Sequence, residues 1–125
     1  MNNILVVDDE PSILELIKEA LNDEYNVLTA ESASDAFKIA TDNTIDLIVS
    51  DLVMPDKNGI DMIMEFKKNE PDIKILAISG GGGITGRFDY LPIAKLIGAE
   101  NTLKKPFTMS ELKTSISDLL ASATH

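Results

Sequence analysis

Three carboxylates in this sequence stand directly after short apolar runs. Asp8 and Asp9 follow the run at residues 2–7, and Asp51 follows the run "IDLIVS" at 45–50. Carboxylates that lie close together repel one another, so that a pKa is raised or a cation is bound. Because such a set offers oxygen ligands without histidine or cysteine, it favours Mg²⁺ or Mn²⁺ over zinc. The three carboxylates are therefore a candidate metal site, provided that the fold brings them together.

Two further polar residues stand at the ends of other apolar runs. Ser79 ends "IKILAIS" and offers a hydroxyl group, and Lys105 follows the run at 101–104 with an ammonium group that can bind a phosphoryl oxygen. Carboxylates, a divalent metal, a lysine and a hydroxyl together form a site for phosphoryl transfer onto a carboxylate. Singly, Asp8 and Asp9 could cap a helix, and Asp51 could open an ordinary turn. Their joint occurrence favours the functional interpretation.

Strand-like runs alternate with helical periodicity five times along the chain. The predicted strands lie at residues 2–7, 25–30, 45–50, 73–79 and 101–104. This alternation predicts an α/β fold in which a five-stranded parallel sheet is covered by helices on both faces. The expected form is a flavodoxin-like doubly wound (βα)5 domain with strand order 2-1-3-4-5. In such sheets the functional crevice lies at the carboxyl ends of the strands.

Local signals predict where the helices begin and end. Pro11 suits a first helical turn, Ser32 is a candidate N-cap, and Thr108 with Glu111 forms a capping box. A fourth helix is expected from about residue 89 to 97, with Gly98 as its C-cap.

The helical periodicity also predicts which side chains face the core. The expected core faces include Leu16 in the first helix and Met64 in the third.

The bulk composition limits the possible classes of function. At 125 residues the chain is expected to be one domain over 1–125, with no separate output domain. The net charge of −10 disfavours direct nucleic-acid binding and favours metal cations and basic partner surfaces. The absence of cysteine excludes disulfides and thiolate metal sites. No apolar run fits a membrane span or an export signal, so we expect no membrane insertion and a cytoplasmic location.

The four consecutive glycines that follow Ser79 invite a different interpretation. With Gly86, two of them fit G-x-G-x-x-G, the pattern of a dinucleotide-binding loop. However, the run follows the fourth predicted strand rather than the first. We therefore interpret it as a switch loop that closes beside Ser79. The loop consists of Gly80, Gly81, Gly82 and Gly83.

Three stretches of the sequence resemble the receiver domain of two-component response regulators. They are "ILVVDDEPSILELI", "DLIVSDLVMPDKNG" and "LKKPFTMSEL", and the resemblance covers essentially the whole chain. It implies that Asp51 is the phosphoacceptor. The donor would be a phosphohistidine on a sensor histidine kinase or on a histidine phosphotransfer protein. Such a chain catalyses its own phosphorylation and slow dephosphorylation without being a conventional turnover enzyme.

The resemblance also implies a role for each remaining site residue. Asp9 would bind Mg²⁺ directly together with Asp51, Asp8 would act mainly through water, and the backbone carbonyl of Val53 would be a further ligand. Ser79 and Lys105 would contact the transferred phosphoryl group. The bond between Lys105 and Pro106 is a candidate cis peptide. Thr102 stands where the family often has an aromatic switch residue.

Several alternatives remain open from the sequence. The output is expected to be an unknown protein bound at the face of helix four, strand five and helix five. A phosphate shuttle or sink in a relay is the main alternative, followed by a receiver-like binding module that phosphorylation does not control. A dehalogenase-type enzyme would need D-x-D on strand one, where this chain has "DDEPS". A nucleotide- or flavin-binding module would depend on the glycine run.

Overall fold

The computed structural model describes residues 1–52, 59–79 and 91–122. Strands and helices alternate along the chain, as the sequence predicts. The strands are β1 (Asn3–Val7), β2 (Asn26–Ala30), β3 (Leu47–Asp51), β4 (Lys74–Ser79) and β5 (Asn101–Lys104). The helices are α1 (Pro11–Leu21), α2 (Ala33–Asp42), α3 (Gly59–Asn69), α4 (Leu91–Leu96) and α5 (Met109–Ser122).

The strands form one parallel sheet in the order β2-β1-β3-β4-β5. This order confirms the predicted doubly wound topology. The β3 strand lies between β1 and β4, with Val7 opposite Ser50 and Ile78 opposite Asp51. Because all strands run the same way, the residues that follow β1, β3, β4 and β5 meet at one edge of the sheet.

Apolar side chains cover both faces of the sheet. Successive strand residues point to opposite faces, so Ile48 packs with α2, α3 and α4, whereas Leu47 and Val49 pack with α1 and α5. Every residue of β3 is buried. A central strand buried on both faces gives the residues at its end a fixed position.

The predicted helix signals are present. The Ser32 hydroxyl accepts the Asp35 N–H at 3.1 Å. The Thr108 hydroxyl accepts the Glu111 N–H at 3.0 Å, and the Glu111 carboxylate accepts the Thr108 N–H at 2.9 Å. Pro11 is the first residue of α1. Gly98 follows α4 with a φ of +125°, a backbone conformation that residues other than glycine rarely adopt.

Two predictions of core residues are wrong. Leu16 and Met64 are 50% and 51% exposed. In α1 the buried stripe is formed by residues three and four apart, Leu14, Ile17 and Leu21, and Leu16 lies outside it. In α3 the buried residue is Met62 rather than Met64. The buried stripe of α1 is thus narrower than the sequence predicts, and that of α3 is shifted to include Met62.

A polar cluster lies at the amino ends of β4 and β5, away from the carboxyl ends where the site residues are expected. The Lys67 ammonium group donates to the Ile73 carbonyl at 2.6 Å and to the Glu100 carboxylate. Glu100 in turn accepts the Ile75 N–H at 2.9 Å. The cluster ties α3 to the beginnings of β4 and β5.

Among the helices that the structure describes, none has the length and apolar character needed to span a membrane.

Candidate functional site

Two buried carboxylates stand side by side at the carboxyl edge of the sheet. Asp51 is the last residue of β3, and Asp8 directly follows β1, the neighbouring strand. The Asp8 N–H donates to the Ala30 carbonyl at 3.1 Å, which keeps Asp8 in line with the β1–β2 ladder. Asp51 is 8% exposed and Asp8 is buried as well. The strands thus hold both carboxylates in fixed positions before any ligand arrives.

Asp9 completes a three-carboxylate cluster. One carboxylate oxygen each of Asp8, Asp9 and Asp51 can be chosen so that all three atoms lie within 4.8 Å of one another. Asp9 is exposed, whereas the other two side chains are buried. An oxygen-only set of this spacing, open to solvent on one side, fits a hard divalent cation such as Mg²⁺ that keeps some of its waters. The predicted convergence of the three carboxylates is therefore present.

Lys105 reaches the cluster from the segment after β5. Its N–H donates to the Ser79 carbonyl at 2.8 Å, which extends the β4–β5 pairing by one residue. Its ammonium Nζ lies 3.2 Å from Asp51 Oδ2 and 3.5 Å from Asp8 Oδ2. The peptide bond between Lys105 and Pro106 is cis. Lys104, the preceding residue, is exposed.

Ser79 ends β4 at the same edge as the carboxylates. The strand register places Ile78 opposite Asp51, and the Leu52 N–H donates to the Ile78 carbonyl at 3.0 Å. Ser79 is therefore next to the acceptor strand, and it is buried. Val53 and the glycines Gly80, Gly81, Gly82 and Gly83 lie outside the described residues.

Comparison with known proteins decides the family. Residues 4–117 match the family described as the response regulator receiver domain. The chain belongs to the response regulator receiver family. The response regulator SaeR of Staphylococcus aureus strain USA300 is 34% identical to it over 121 residues, which are 96% of this chain and 51% of SaeR. The receiver domain thus spans about half the length of the curated relatives that it matches.

Solved structures agree with this family. A response regulator receiver domain protein from Clostridium thermocellum superposes with a TM-score of 0.89 at 34% identity, covering 99% of this chain and 98% of that one. The beryllofluoride-activated NtrC4 receiver domain dimer gives a TM-score of 0.86 at 31% identity, covering 98% and 99%. Receiver domains are signalling proteins rather than conventional enzymes, and they bind Mg²⁺ at an acidic pocket. They interact with histidine kinases and with downstream effectors.

The electrostatics of the receiver site are dominated by burial and by the pair of charges around Lys105. Burial raises the pKa of Asp8, and the Asp51 charge raises it further, while the Glu10 N–H and Lys105 lower it by less. Burial alone would lower the pKa of Lys105, but the charges and hydrogen bonds of Asp51 and Asp8 raise it above its usual value. The two carboxylates therefore favour the charged form of Lys105, whereas burial disfavours the charged form of Asp8.

We expect the Asp8→Asn variant to be more stable than the wild type at pH 7 in the absence of Mg²⁺. Because the pKa of Asp8 is raised in the folded state, the wild type loses stability as the pH rises through that value. Below the unfolded pKa of about 3.9, both states are protonated and the advantage of the variant disappears. Urea unfolding in EDTA from pH 3 upwards measures the difference. A variant less stable than the wild type at pH 7 would contradict this account of Asp8.

Two further residues contact the main chain of Asp51 in the receiver domain. The Ser50 hydroxyl donates to the Asp51 carbonyl at 2.9 Å. Gly59, the first residue of α3, donates its N–H to the Leu52 carbonyl at 2.9 Å. The sequence analysis found neither residue. The sequence does contain a hint of the role of Gly59. Glycine is a poor helix former, so a glycine at the start of α3 indicates that something other than helix propensity favours it there.

Proposed function

We propose that this receiver domain accepts a phosphoryl group on Asp51 from a phosphohistidine of a partner protein. The observation that favours this proposal is the pairing of a buried strand-end carboxylate with Lys105, whose Nζ lies 3.2 Å from Asp51 Oδ2, beside two further carboxylates. The donor class is a sensor histidine kinase or a histidine phosphotransfer protein. A phosphorylated Asp51 would then change the surface that the domain offers to a downstream protein.

The residues of the chain divide the chemistry among them. An Asp51 carboxylate oxygen forms the new O–P bond as the N–P bond of the donor breaks, and the donor histidine leaves as a neutral imidazole after taking up a proton. Lys105 offsets charge on the phosphoryl oxygens, and the Ser79 hydroxyl would donate to one of them. Asp9, Asp51 and the backbone carbonyl of Val53 would hold Mg²⁺, with Asp8 acting through water. The bound metal supplies neutralisation of the charge that builds up in the transfer.

Incubation with acetyl phosphate tests this function directly. The wild type should gain the mass of one phosphoryl group in the presence of Mg²⁺ and none in EDTA. Peptide mapping after borohydride reduction should place the modification at Asp51, because an acyl phosphate is reduced whereas a phosphoserine is not. An unmodified wild type, or a phosphoryl group on another residue, would refute the proposal.

An apolar groove beside Lys105 is the surface that we propose for the phosphodonor. The groove measures about 390 Å³, and apolar side chains of α1 and of the segment after β5 line it, among them Ile13, Leu16 and Phe107. Lys105 lines the groove and also contacts Asp51, so a protein seated there lies beside the acceptor. The net charge of −10 favours a donor whose contact surface is basic.

We expect the Leu16→Ser variant to lose roughly tenfold in the rate of phosphoryl transfer from a histidine kinase, since central apolar anchors dominate such interfaces. The rate with acetyl phosphate should not change, because this small donor needs no docking surface. Met64→Ser is the matched control, since Met64 is as exposed as Leu16 but lies on α3. The kinase is the one that modifies the wild type fastest in a panel of purified kinases. Equal rates for both variants would contradict docking at this groove.

The downstream partner is proposed to bind the face formed by α4, β5 and α5. Leu96 on α4 is an apolar side chain that is 85% exposed. Thr102 lies on β5, half-buried and opposite Ala77 in the ladder, so β5 has a small side chain at this place. Phosphorylation would change the packing of this face without an aromatic rotamer at Thr102.

A further inference from the structure

The start of α3 lies against the main chain of the proposed phosphoacceptor. A Cβ atom built on Gly59 would lie 2.5 Å from the Leu52 Cα, 2.6 Å from the Asp51 carbonyl oxygen and 2.8 Å from the Leu52 carbonyl oxygen. Cβ atoms essentially never approach other heavy atoms within 3.0 Å. All three neighbours are main-chain atoms, so no side chain can rotate away to make room. Only glycine therefore fits between α3 and the end of β3.

Two hydrogen bonds hold the same stretch of main chain from other directions. The Ser50 hydroxyl, which is fully buried, donates to the Asp51 carbonyl at 2.9 Å. On the β4 side, the Leu52 N–H donates to the Ile78 carbonyl at 3.0 Å. Together with the Gly59 N–H on the Leu52 carbonyl, these contacts fix the two peptide groups that directly follow the Asp51 Cα.

From these contacts we infer that Gly59 and Ser50 are positioning residues for phosphoryl transfer to Asp51. Gly59 lets α3 pack directly on the main chain of Asp51 and Leu52, and Ser50 holds the Asp51 carbonyl from within the sheet. Together they set the direction in which the carboxylate leaves β3 and so its alignment with the phosphorus. The inference rests on the proposed function, since it concerns the same carboxylate.

The size of the expected effect follows from how sensitive group transfer is to alignment. A displacement of the acceptor by about 1 Å can slow such a reaction by roughly 100-fold. A methyl group on Gly59 must move main-chain atoms by several tenths of an ångström to relieve contacts of 2.5–2.8 Å. Helix propensity works in the opposite direction, because alanine is better than glycine in a helix by about 1 kcal/mol. A loss of activity in Gly59→Ala would therefore not come from a weaker helix.

Gly98→Ala provides the matched control. Its Cβ would also meet a neighbour within 3.0 Å, but this neighbour is the Lys67 Cγ, a side-chain atom rather than a main-chain atom. The φ of +125° adds backbone strain, so this substitution destabilises the domain as well. Gly98 precedes β5 and thus lies at the edge of the sheet opposite to Asp51. The two variants separate displacement of the acceptor from a general loss of stability.

The test measures the rate of phosphorylation by acetyl phosphate at saturating Mg²⁺, at a temperature where circular dichroism shows each variant folded. We expect the maximal rate to fall about 30–100-fold in Gly59→Ala and to stay within about twofold of wild type in Gly98→Ala. Ser50→Ala, which removes one oxygen and adds no atom, should fold like the wild type and be about three- to tenfold slower. A stabilising osmolyte should not restore either rate, because it corrects the folded population and not the geometry.

Three results would overturn this inference and leave the proposed function intact. They are a folded Gly59→Ala variant with a rate near that of the wild type, an equal loss in Gly98→Ala, and full recovery in osmolyte. If Gly59→Ala does not fold, Ser50→Ala decides, and an unchanged rate in that variant contradicts the inference. Absence of phosphorylation in the wild type would instead overturn the proposed function, and the inference with it.

Discussion

Replacing Asp51 by asparagine should abolish phosphorylation and leave the fold intact. The amide keeps the shape of the carboxylate but is not a nucleophile at neutral pH, so labelling by acetyl phosphate should fall by at least about 1,000-fold. The fold should not suffer, because the substitution removes one charge from a cluster in which three carboxylate oxygens lie within 4.8 Å. Lys105 then keeps Asp8 as its partner at 3.5 Å. Mass spectrometry and thermal unfolding in EDTA measure the two effects.

Asp42→Asn is a suitable control for this prediction. Asp42 ends α2 and is exposed, so its substitution makes the same change in net charge away from the cluster. Phosphorylation of this variant should equal that of the wild type. Two results would contradict the role of Asp51. One is an Asp51→Asn variant that is still labelled, and the other is an unlabelled variant that has also unfolded.

The convergence of the site residues could be predicted because it depends on topology alone. Once apolar runs alternate with helical periodicity, a parallel sheet brings the residues after β1 and β3 to one edge, whatever the side-chain packing. Asp8 and Asp51 therefore lie together as expected, and Lys105 joins them because β5 ends at the same edge. The strand order places β5 two strands away from β3, and the long Lys105 side chain spans this distance to reach both carboxylates.

Features that depend on close tertiary packing could not be predicted in the same way. The role of Gly59 depends on how near α3 comes to the main chain of β3, and periodicity does not report that distance. Glu100 pairs with Lys67 across a sequence separation of 33 residues, which the sequence gives no means to foresee. Leu16 and Met64 were misplaced because hydrophobicity marks a helix face only to within one residue. The exposed Leu16 side chain lines the apolar groove beside Lys105.

The proposed function lowers the stability of the domain, because it requires charged side chains to be buried at the site. Asp8 and Asp51 are both buried, and burial already raises the pKa of Asp8. A domain selected only for stability would replace one of them by a neutral residue. Two buried carboxylates are retained together where a cation or a phosphoryl group has to bind. Lys105 offsets this cost in the absence of a ligand, so removal of its charge should affect both stability and phosphorylation.

Replacing Lys105 by methionine should slow phosphorylation and also destabilise the domain. The long apolar stem is kept, so the change removes mainly the charge that lies 3.2 Å from Asp51 and 3.5 Å from Asp8. Loss of one electrostatic contact to the transferred group slows such reactions by about 100–1,000-fold. Two buried carboxylates left without this partner should lower the free energy of unfolding by about 1–3 kcal/mol at pH 7. The lower part of that range allows for screening, because the Lys105 side chain is 27% exposed.

The pH and Mg²⁺ dependence distinguish this electrostatic loss from a packing defect. The pKa of Lys105 is raised by its carboxylate partners, so its stabilisation is present throughout the neutral range and is lost only as the pH rises through that raised value. On the acid side the difference between Lys105→Met and wild type should shrink as the pH falls through the raised pKa of Asp8. Added Mg²⁺ should stabilise the variant more than the wild type, since a divalent cation offsets the same charges. Lys104→Met, at the exposed neighbouring position, should change the free energy of unfolding by less than about 0.5 kcal/mol. A stability difference that does not depend on pH or Mg²⁺ would mean that Lys105 acts through packing rather than through its charge.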